Sequence, residues 1–218
     1  MTHHIAKKEL RKLIKSNLHK TSAAEITAQS RNVFNILKSL PEYQAAKSIA
    51  CYLHMDEHEI ETNFITDDAF KQGKLVYLPR IVDLPEKHHG VLFKSHKKEL
   101  NMLQVTSPED ILSLVPHGPY KLREPPLESP DALSLQGLDI IVVPGLGFTK
   151  RCHRIGHGKG FYDTYISKYT KWCAENNKVK PFLVGIGAKE QLVESIPQED
   201  HDHPLDVVII DDQLFKKE

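Results

Sequence analysis

The sequence predicts an α/β fold: a single domain of three layers, α/β/α, built around a mostly parallel sheet. Three observations carry this expectation. Apolar stretches of strand length alternate with segments of helical period. Residues 138–143 form a near-continuous apolar run, as a central parallel strand covered on both faces requires. The 218 residues, 40% of them hydrophobic, suffice for one sizeable core and fall short of two.

In chain order, Leu10, Leu13, Ile14 and Leu18 recur at helical spacing. A second helix starts at Ser22, whose hydroxyl can cap it while Glu25 completes a capping box; Ile26, Val33, Leu37 and Leu40 then face one side. Residues 48–54 read as a short buried strand, 62–72 as a helix ending at Gly73, and 75–78 as a strand closed by Pro79. Residues 91–94 are a candidate strand, whereas 116–130, with five prolines, reads as an extended loop over the surface. The run 138–143 stops at Pro144 and Gly145, and a long polar, glycine-rich loop follows. A helix is expected from Gly160, where Tyr162, Tyr165, Ile166, Tyr169, Trp172 and Cys173 make a stripe better suited to packing than to chemistry. Residues 182–186 and 207–210 supply further strands, with a short helix at 189–195 between them. In such a sheet, ligands bind at the carboxyl ends of the strands.

Charge and cysteine usage narrow the function classes. Lys plus Arg equals Asp plus Glu at 29 each, so no global field favours nucleic acid or an anionic membrane. Cys51, Cys152 and Cys173 are odd in number and widely spaced, which argues against a disulfide framework and a thiolate zinc site and fits a reducing compartment. The chain contains 13 histidines, among them the adjacent His88 and His89 and the alternating His201 and His203. No HExxH motif or Cys/His cluster accompanies them, so structural and surface roles are expected. No apolar run reaches bilayer length. A cytoplasmic monomer is expected. The basic, helix-patterned residues 7–20 leave a mitochondrial address as the alternative, though Arg is scarce there and Glu9 interrupts the charge.

The chemistry concentrates in residues 143–165, where PGLGFTKRCHRIGHGKGFYDTY follows a buried strand. Gly156, Gly158 and Gly160 alternate with His157 and Lys159. Glycines at every second position let backbone N–H groups converge without Cβ obstruction, and a following helix adds its positive end; a phosphate chain suits such a loop. Arg154 and Lys159 are placed to neutralise it. A purely structural glycine turn fits the local pattern as well. The dinucleotide fingerprint fails, because Gly145 and Gly147 begin it but Lys150 does not complete it, and Phe161 and Tyr162 stand where a P-loop needs Lys and Ser or Thr. Asp163, just inside the expected helix, is accounted for by the helix dipole alone. Beside a phosphate cradle it becomes a ligand for a hard Mg²⁺ ion.

These residues, PGLGF and RIGHGKGFYD, resemble the signature of the 5-formyltetrahydrofolate cyclo-ligase family, also called methenyltetrahydrofolate synthetases. Further landmarks follow the family order over nearly the whole chain: KKELR at Lys7 to Arg11, HEIET at His58 to Thr62, LPR at Leu78 to Arg80, and HDHPLD at His201 to Asp206. The resemblance implies that Lys7, Lys8, Glu9, Leu10 and Arg11, with Arg154, Ile155, Gly156, His157, Gly158, Lys159, Gly160, Phe161 and Tyr162, bind ATP as co-substrate. It implies Mg²⁺ on Asp163 and Asp202, and 5-formyltetrahydrofolate against Leu53, Met55, Glu59, His157 and Phe161. Lys159 and Arg154 are the candidate catalytic residues. Chemically, a carboxylate at Glu59 can accept two parallel hydrogen bonds from an aminopyrimidine edge, and Met55 offers an adaptable apolar surface. Read without the resemblance, Glu59 is a solvated loop charge and Met55 a core residue. The chain departs from the commonest motif in carrying Phe161 before Tyr162 in place of two tyrosines; Phe161 keeps stacking area but cannot donate a hydrogen bond.

The family reaction, by the same resemblance, transfers the γ-phosphoryl group of ATP to the formyl oxygen, after which N10 closes the ring and phosphate leaves, giving 5,10-methenyltetrahydrofolate. No covalent protein nucleophile is needed, which agrees with the lack of a Ser-His-Asp or Cys-His set. Two rivals remain open: a non-catalytic relative that binds a partner, expected to show a broken phosphate loop, and another ATP-using enzyme, which only the residues around Glu59 argue against.

Overall fold

The computed structural model describes residues 3–55, 58–84, 97–118 and 120–217; the candidate strand at 91–94 and the His88–His89 pair lie outside them. Helices α1 (His3–Leu18), α2 (Ala23–Ser39) and α3 (Pro41–Ala45) precede β1 (Ser48–Ala50), followed by α4 (Asn63–Lys71), β2 (Leu75–Asp83), β3 (Lys98–Val105) and α5 (Pro108–Ser113). The second half runs through a small hairpin of β4 (Pro116–His117) and β5 (Leu122–Arg123) to β6 (Ile140–Val143). A second small hairpin of β7 (Gly147–Phe148) and β8 (Arg154–Ile155) comes next, then α6 (Phe161–Glu175), β9 (Phe182–Gly187), β10 (Val207–Ile210) and β11 (Gln213–Lys216).

The main sheet has seven strands in the order β11-β10-β9-β6-β1-β2-β3. Strand β6, the apolar run read as central, is the fourth of these. The inner pairs β2–β1, β1–β6, β6–β9 and β9–β10 are parallel, and the edge strands β3 and β11 pair antiparallel. Strand alternation divides the core into two layers. Ile49, Ile140, Val142, Val184 and Ile209 point toward Ile14, Ile26, Val33, Leu37, Ile65 and Ala69 of α1, α2 and α4. Ala50, Ile141, Val143, Val208 and Ile210 point toward Tyr165, Ile166, Tyr169 and Cys173 of α6. The three-layer, mostly parallel architecture is therefore present. The chain winds outward in one direction from β1 and in the other from β6, which leaves a crevice beyond their carboxyl ends.

Local signals act where physics makes them strong. Ser22 caps α2 by accepting from the Glu25 N–H while Glu25 reaches back to the Ser22 N–H at 2.9 Å, so both halves of the capping box form. Gly73 takes a positive φ of 69° after α4. The four buried residues Ile26, Val33, Leu37 and Leu40 line the face that meets the sheet; complete burial of each such side chain is worth about 1.5–3 kcal/mol.

Several boundaries move. Leu13 is 58% exposed, although Ile14 and Leu18 are buried, so α1 presents a narrower stripe than the spacing suggested. Only Ser48–Ala50 of the expected strand at 48–54 is strand. Strand β2 continues through Pro79 to Asp83. Tyr77 accepts from the Cys51 N–H, so by alternation the nitrogen of Pro79 faces the β1 side, where β1 has already ended; the missing N–H costs the β2–β3 ladder nothing. The proline-rich stretch contains the β4–β5 hairpin, and the expected helix at 189–195 is a single 3₁₀ turn, Lys189–Gln191.

Candidate active site

The glycines of PGLGF serve packing. A Cβ at Gly145 would stand 2.5 Å from Phe148 Cζ, one at Gly185 would stand 2.7 Å from Phe148 Cε1, and one at Gly147 would stand 2.5 Å from Ile14 Cδ1. The fully buried Phe148 thus sits on bare backbone, and the turn after β6 is drawn tightly against the core. The second glycine group is different. Gly158 and Gly160 have φ of 90° and 66°, which side chains disfavour; Gly160 is the residue before the first turn of α6. These two positions let the loop reverse above the positive end of α6, the geometry a phosphate cradle needs.

Helix α1 braces that loop. Arg11 Nε donates to the Gly156 carbonyl at 2.8 Å, and a Cβ on Gly158 would lie 3.3 Å from the Arg11 guanidinium carbon. Lys7, one turn earlier on the same helix face, is 7% exposed and donates to Glu199 at 2.6 Å and Asp202 at 2.8 Å. Burial pulls its pKa down, but Asp202 and then Glu199 outweigh it and leave Lys7 above the ordinary lysine value; Lys7 in turn holds Glu199 below the usual carboxylate range. Leu10 packs on the core, whereas Lys8 and Glu9 point outward. Of the KKELR segment, then, Arg11 meets the loop, Lys7 meets Glu199 and Asp202, and Lys8 and Glu9 are exposed.

Arg154 occupies the centre. It is 8% exposed, its Nη2 donates to Asp163 Oδ1 at 2.7 Å, and its Nη1 lies 3.4 Å from the Pro144 carbonyl. Its buried Nε has no hydrogen-bond partner among the described residues, an arrangement that suits a visiting anion. The Arg154 guanidinium also stands 6.0 Å over the Tyr162 ring. Lys159 and His157 are exposed, and Ile155 is buried in β8.

On the other side of the crevice, residues 51–55 leave the end of β1. Leu53 and Met55 line a cavity of about 410 Å³ with His54, Glu61, Pro116, Lys121 and Arg123. Glu59 Oε2 accepts the Met55 N–H at 2.8 Å, which fixes this turn. Tyr162, in the first turn of α6, has a buried hydroxyl with no hydrogen-bond partner among the described residues. Burial, then Cys51, and more weakly Glu59, push its pKa far up, while Arg154 pulls the other way. Tyr52 is raised likewise, by burial and then by Glu59. Phe161 packs against the α6-side core.

Of the two metal candidates, Asp202 belongs to a cluster of oxygen and nitrogen donors and, among the described residues, Asp163 does not. Asp202 lies with Glu199 and His201 in a group whose ligand atoms all fall within 4.8 Å of one another. Asp163 and Asp202 both act on His203, whose pKa burial lowers against them. Asp163 and Asp202 are each paired with a largely buried cation, Arg154 and Lys7 respectively. Sequence reasoning did not single out Tyr52, Lys121, Arg123 or Glu199. Tyr52 is hidden in an apolar run, Lys121 and Arg123 sit in a proline-rich loop without a motif, and Glu199 was one acid among several before HDHPLD.

The 5-formyltetrahydrofolate cyclo-ligase family model matches residues 3–211. The chain is 35% identical to 5-formyltetrahydrofolate cyclo-ligase of Mus musculus over 209 residues, covering 95% of this chain and 94% of that protein. It is 34% identical to the Saccharomyces cerevisiae enzyme of the same name, covering 94% and 95%. Among solved structures it resembles Aquifex aeolicus 5,10-methenyltetrahydrofolate synthetase, with a TM-score of 0.66 and 27% identity over 96% of this chain and 92% of that one.

Proposed function

The chain belongs to the 5-formyltetrahydrofolate cyclo-ligase family, and we propose that it converts 5-formyltetrahydrofolate and ATP into 5,10-methenyltetrahydrofolate, ADP and phosphate. The observation that carries this reading beyond family membership is a buried Arg154 at the glycine loop after β6, its Nε without a partner among the described residues, with the cavity at Leu53 and Met55 following the adjacent strand β1. A reaction between two bound small molecules needs such contiguity more than it needs a nucleophile.

In this reading the loop 154–160 and the start of α6 take the triphosphate. Arg11 holds the loop through Gly156, and Arg154 presents its unpartnered Nε to the phosphates. Leu53 and Met55 flank the pterin, and Glu59 accepts hydrogen bonds from its aminopyrimidine edge. The formyl oxygen attacks the γ-phosphorus and ADP leaves; N10 then attacks the formyl carbon, and the C–O bond breaks to release phosphate with that oxygen. Lys159, exposed in this loop, neutralises the phosphoryl group in transfer. His157 and Phe161 edge the folate, Phe161 through ring area alone. Asp163 and Asp202 hold Mg²⁺, which supplies charge neutralisation for the phosphates when bound. A cytoplasmic monomer, with the mitochondrion as alternative compartment, is part of the same reading. Among the described residues no helix is long and apolar enough to cross a membrane.

The test is absorbance at the near-ultraviolet methenyltetrahydrofolate band after mixing protein, 5-formyltetrahydrofolate, ATP and Mg²⁺. Growth that needs all four components supports the reading. No growth with folded protein that still binds ATP would point to the non-catalytic or differently specific relative.

A further inference from the structure

The cavity assigned to the folate has two walls of different origin. Leu53, His54 and Met55 come from the turn after β1, whereas Pro116, Lys121 and Arg123 come from the β4–β5 hairpin. That hairpin has two residue pairs, Pro116 with Arg123 and His117 with Leu122, too few to hold a shape in water. Lys121 has a φ of 51°, which a residue with a side chain keeps only where its surroundings impose it. The position of this wall is therefore set by whatever fastens the hairpin to the sheet.

The fastening is Glu124, the residue after β5. Its side chain is 7% exposed. Oε1 accepts the Ile81 N–H at 2.7 Å, and Oε2 lies 3.2 Å from Nε2 of His117 on β4. Ile81 has the same parity as Tyr77 on β2, so by strand alternation its N–H faces the β1 side, beyond the end of β1 at Ala50. One carboxylate oxygen thus takes the place of the missing strand, and the other closes the hairpin on itself. Next to it, Arg80 Nη1 donates to the Pro125 carbonyl at 2.6 Å. Arg123 Nη2 then reaches the His54 carbonyl at 3.5 Å, joining the hairpin to the other wall. A carboxylate withdrawn from water is costly unless it is partnered; here both oxygens are engaged, one by the sheet and one by the hairpin.

We propose that Glu124 is a positioning residue for the folate. By clasping the hairpin to β2 at the point where β1 stops, it sets the width of the cavity and the placement of its hairpin wall before the substrate arrives. This rests on the proposed folate reading and adds to it a residue that acts without touching the substrate. Such preorganisation bears on one ligand only, since in that reading ATP is engaged on the other side of the crevice.

The test compares binding of 5-formyltetrahydrofolate alone and of ATP alone, followed by protein fluorescence, with KM and kcat for turnover. Glu124→Ala, which removes both contacts, is expected to weaken 5-formyltetrahydrofolate about tenfold and to raise its KM likewise. The kcat at saturation and the affinity for ATP should change by less than about twofold. Glu124→Gln keeps an acceptor for the Ile81 N–H and gives up the charge facing His117, so it is expected to bind the folate about threefold more weakly than the parent. Folate affinity within about twofold of the parent in both variants, or an equal loss for ATP, overturns the positioning role and leaves the cyclo-ligase reading intact. If Glu124→Ala does not unfold cooperatively, Glu124→Gln decides alone by the same criteria. A parent chain that binds ATP but not 5-formyltetrahydrofolate overturns the folate reading itself, and the role of Glu124 with it.

Discussion

Arg154 Nη2 and Asp163 Oδ1 are 2.7 Å apart, with both side chains largely withdrawn from solvent. The pair joins β8 to the first turn of α6 and so ties the glycine loop closed at its base. Asp163 stands in two roles: structural partner of Arg154 now, and metal ligand in the proposed reaction. These roles separate by substitution. Asp163→Ala should cost about 3–5 kcal/mol of stability, because it strands a buried guanidinium. Asp163→Asn keeps an acceptor for Arg154, so it should lose much less stability yet still lower kcat by about 10²-fold or more at saturating Mg²⁺. Urea unfolding beside turnover checks this; equal stability loss in both variants would refute the separation.

Lys7 binds Glu199 and Asp202 together. If Lys7 also reaches phosphate, as the family resemblance implies, ATP and the two carboxylates compete for one ammonium. Lys7→Met should then raise the KM for ATP about tenfold or more. It should also loosen the first half of α1, seen as faster amide exchange around residue 7. Retention of wild-type ATP affinity would leave Lys7 a purely structural cation.

Gly145 and Gly185 are expected to reject even a methyl group, since each would drive a Cβ to within 2.5–2.7 Å of a buried side-chain carbon. Gly145→Ala or Gly185→Ala should destabilise by about 1–3 kcal/mol through overpacking against Phe148. Shrinking the opposing ring with Phe148→Leu in the Gly145→Ala background should recover part of that loss, whereas additive losses would argue against the contact. Chemical denaturation of the two single variants and the double variant closes this cycle.

Asp131 supplies the pH prediction. Burial raises its pKa against the helping N–H of Leu133 and the charge of Lys168. Its folded pKa exceeds its unfolded one, so above the ordinary carboxylate value the folded state holds more protons. Stability contributed by this group is then fully present below the unfolded pKa and is lost as pH rises through the folded pKa. Asp131→Asn keeps the acceptor for Leu133 and removes the titration. Its stability relative to the parent should rise as pH increases through that window, measured as the difference in urea midpoint between pH 4 and pH 7. A pH-independent difference would refute it.

The residues of α2 and of β6 were legible without coordinates because their determinants are local or compositional. A capping box needs only Ser22 and Glu25 three residues apart, and a strand buried on both faces must be apolar at consecutive positions, as Ile140 to Val143 are. The glycine loop with Asp163 was legible for the same reason: backbone conformation and helix start are written in neighbouring residues. Pro79 misled, because its effect depends on where β1 ends, which is a matter of register between two strands. What tertiary structure alone decided was partnership. Lys7 meets residues 192 and 195 positions away, and Arg11 donates to a backbone carbonyl 145 positions away. Arg123 lines the cavity at Leu53 and Met55 from a hairpin that no periodicity announces. Spacing within a segment dictates which side chains share a face; only the winding of the sheet, outward from β1 and from β6, dictates which faces come together at the crevice between them.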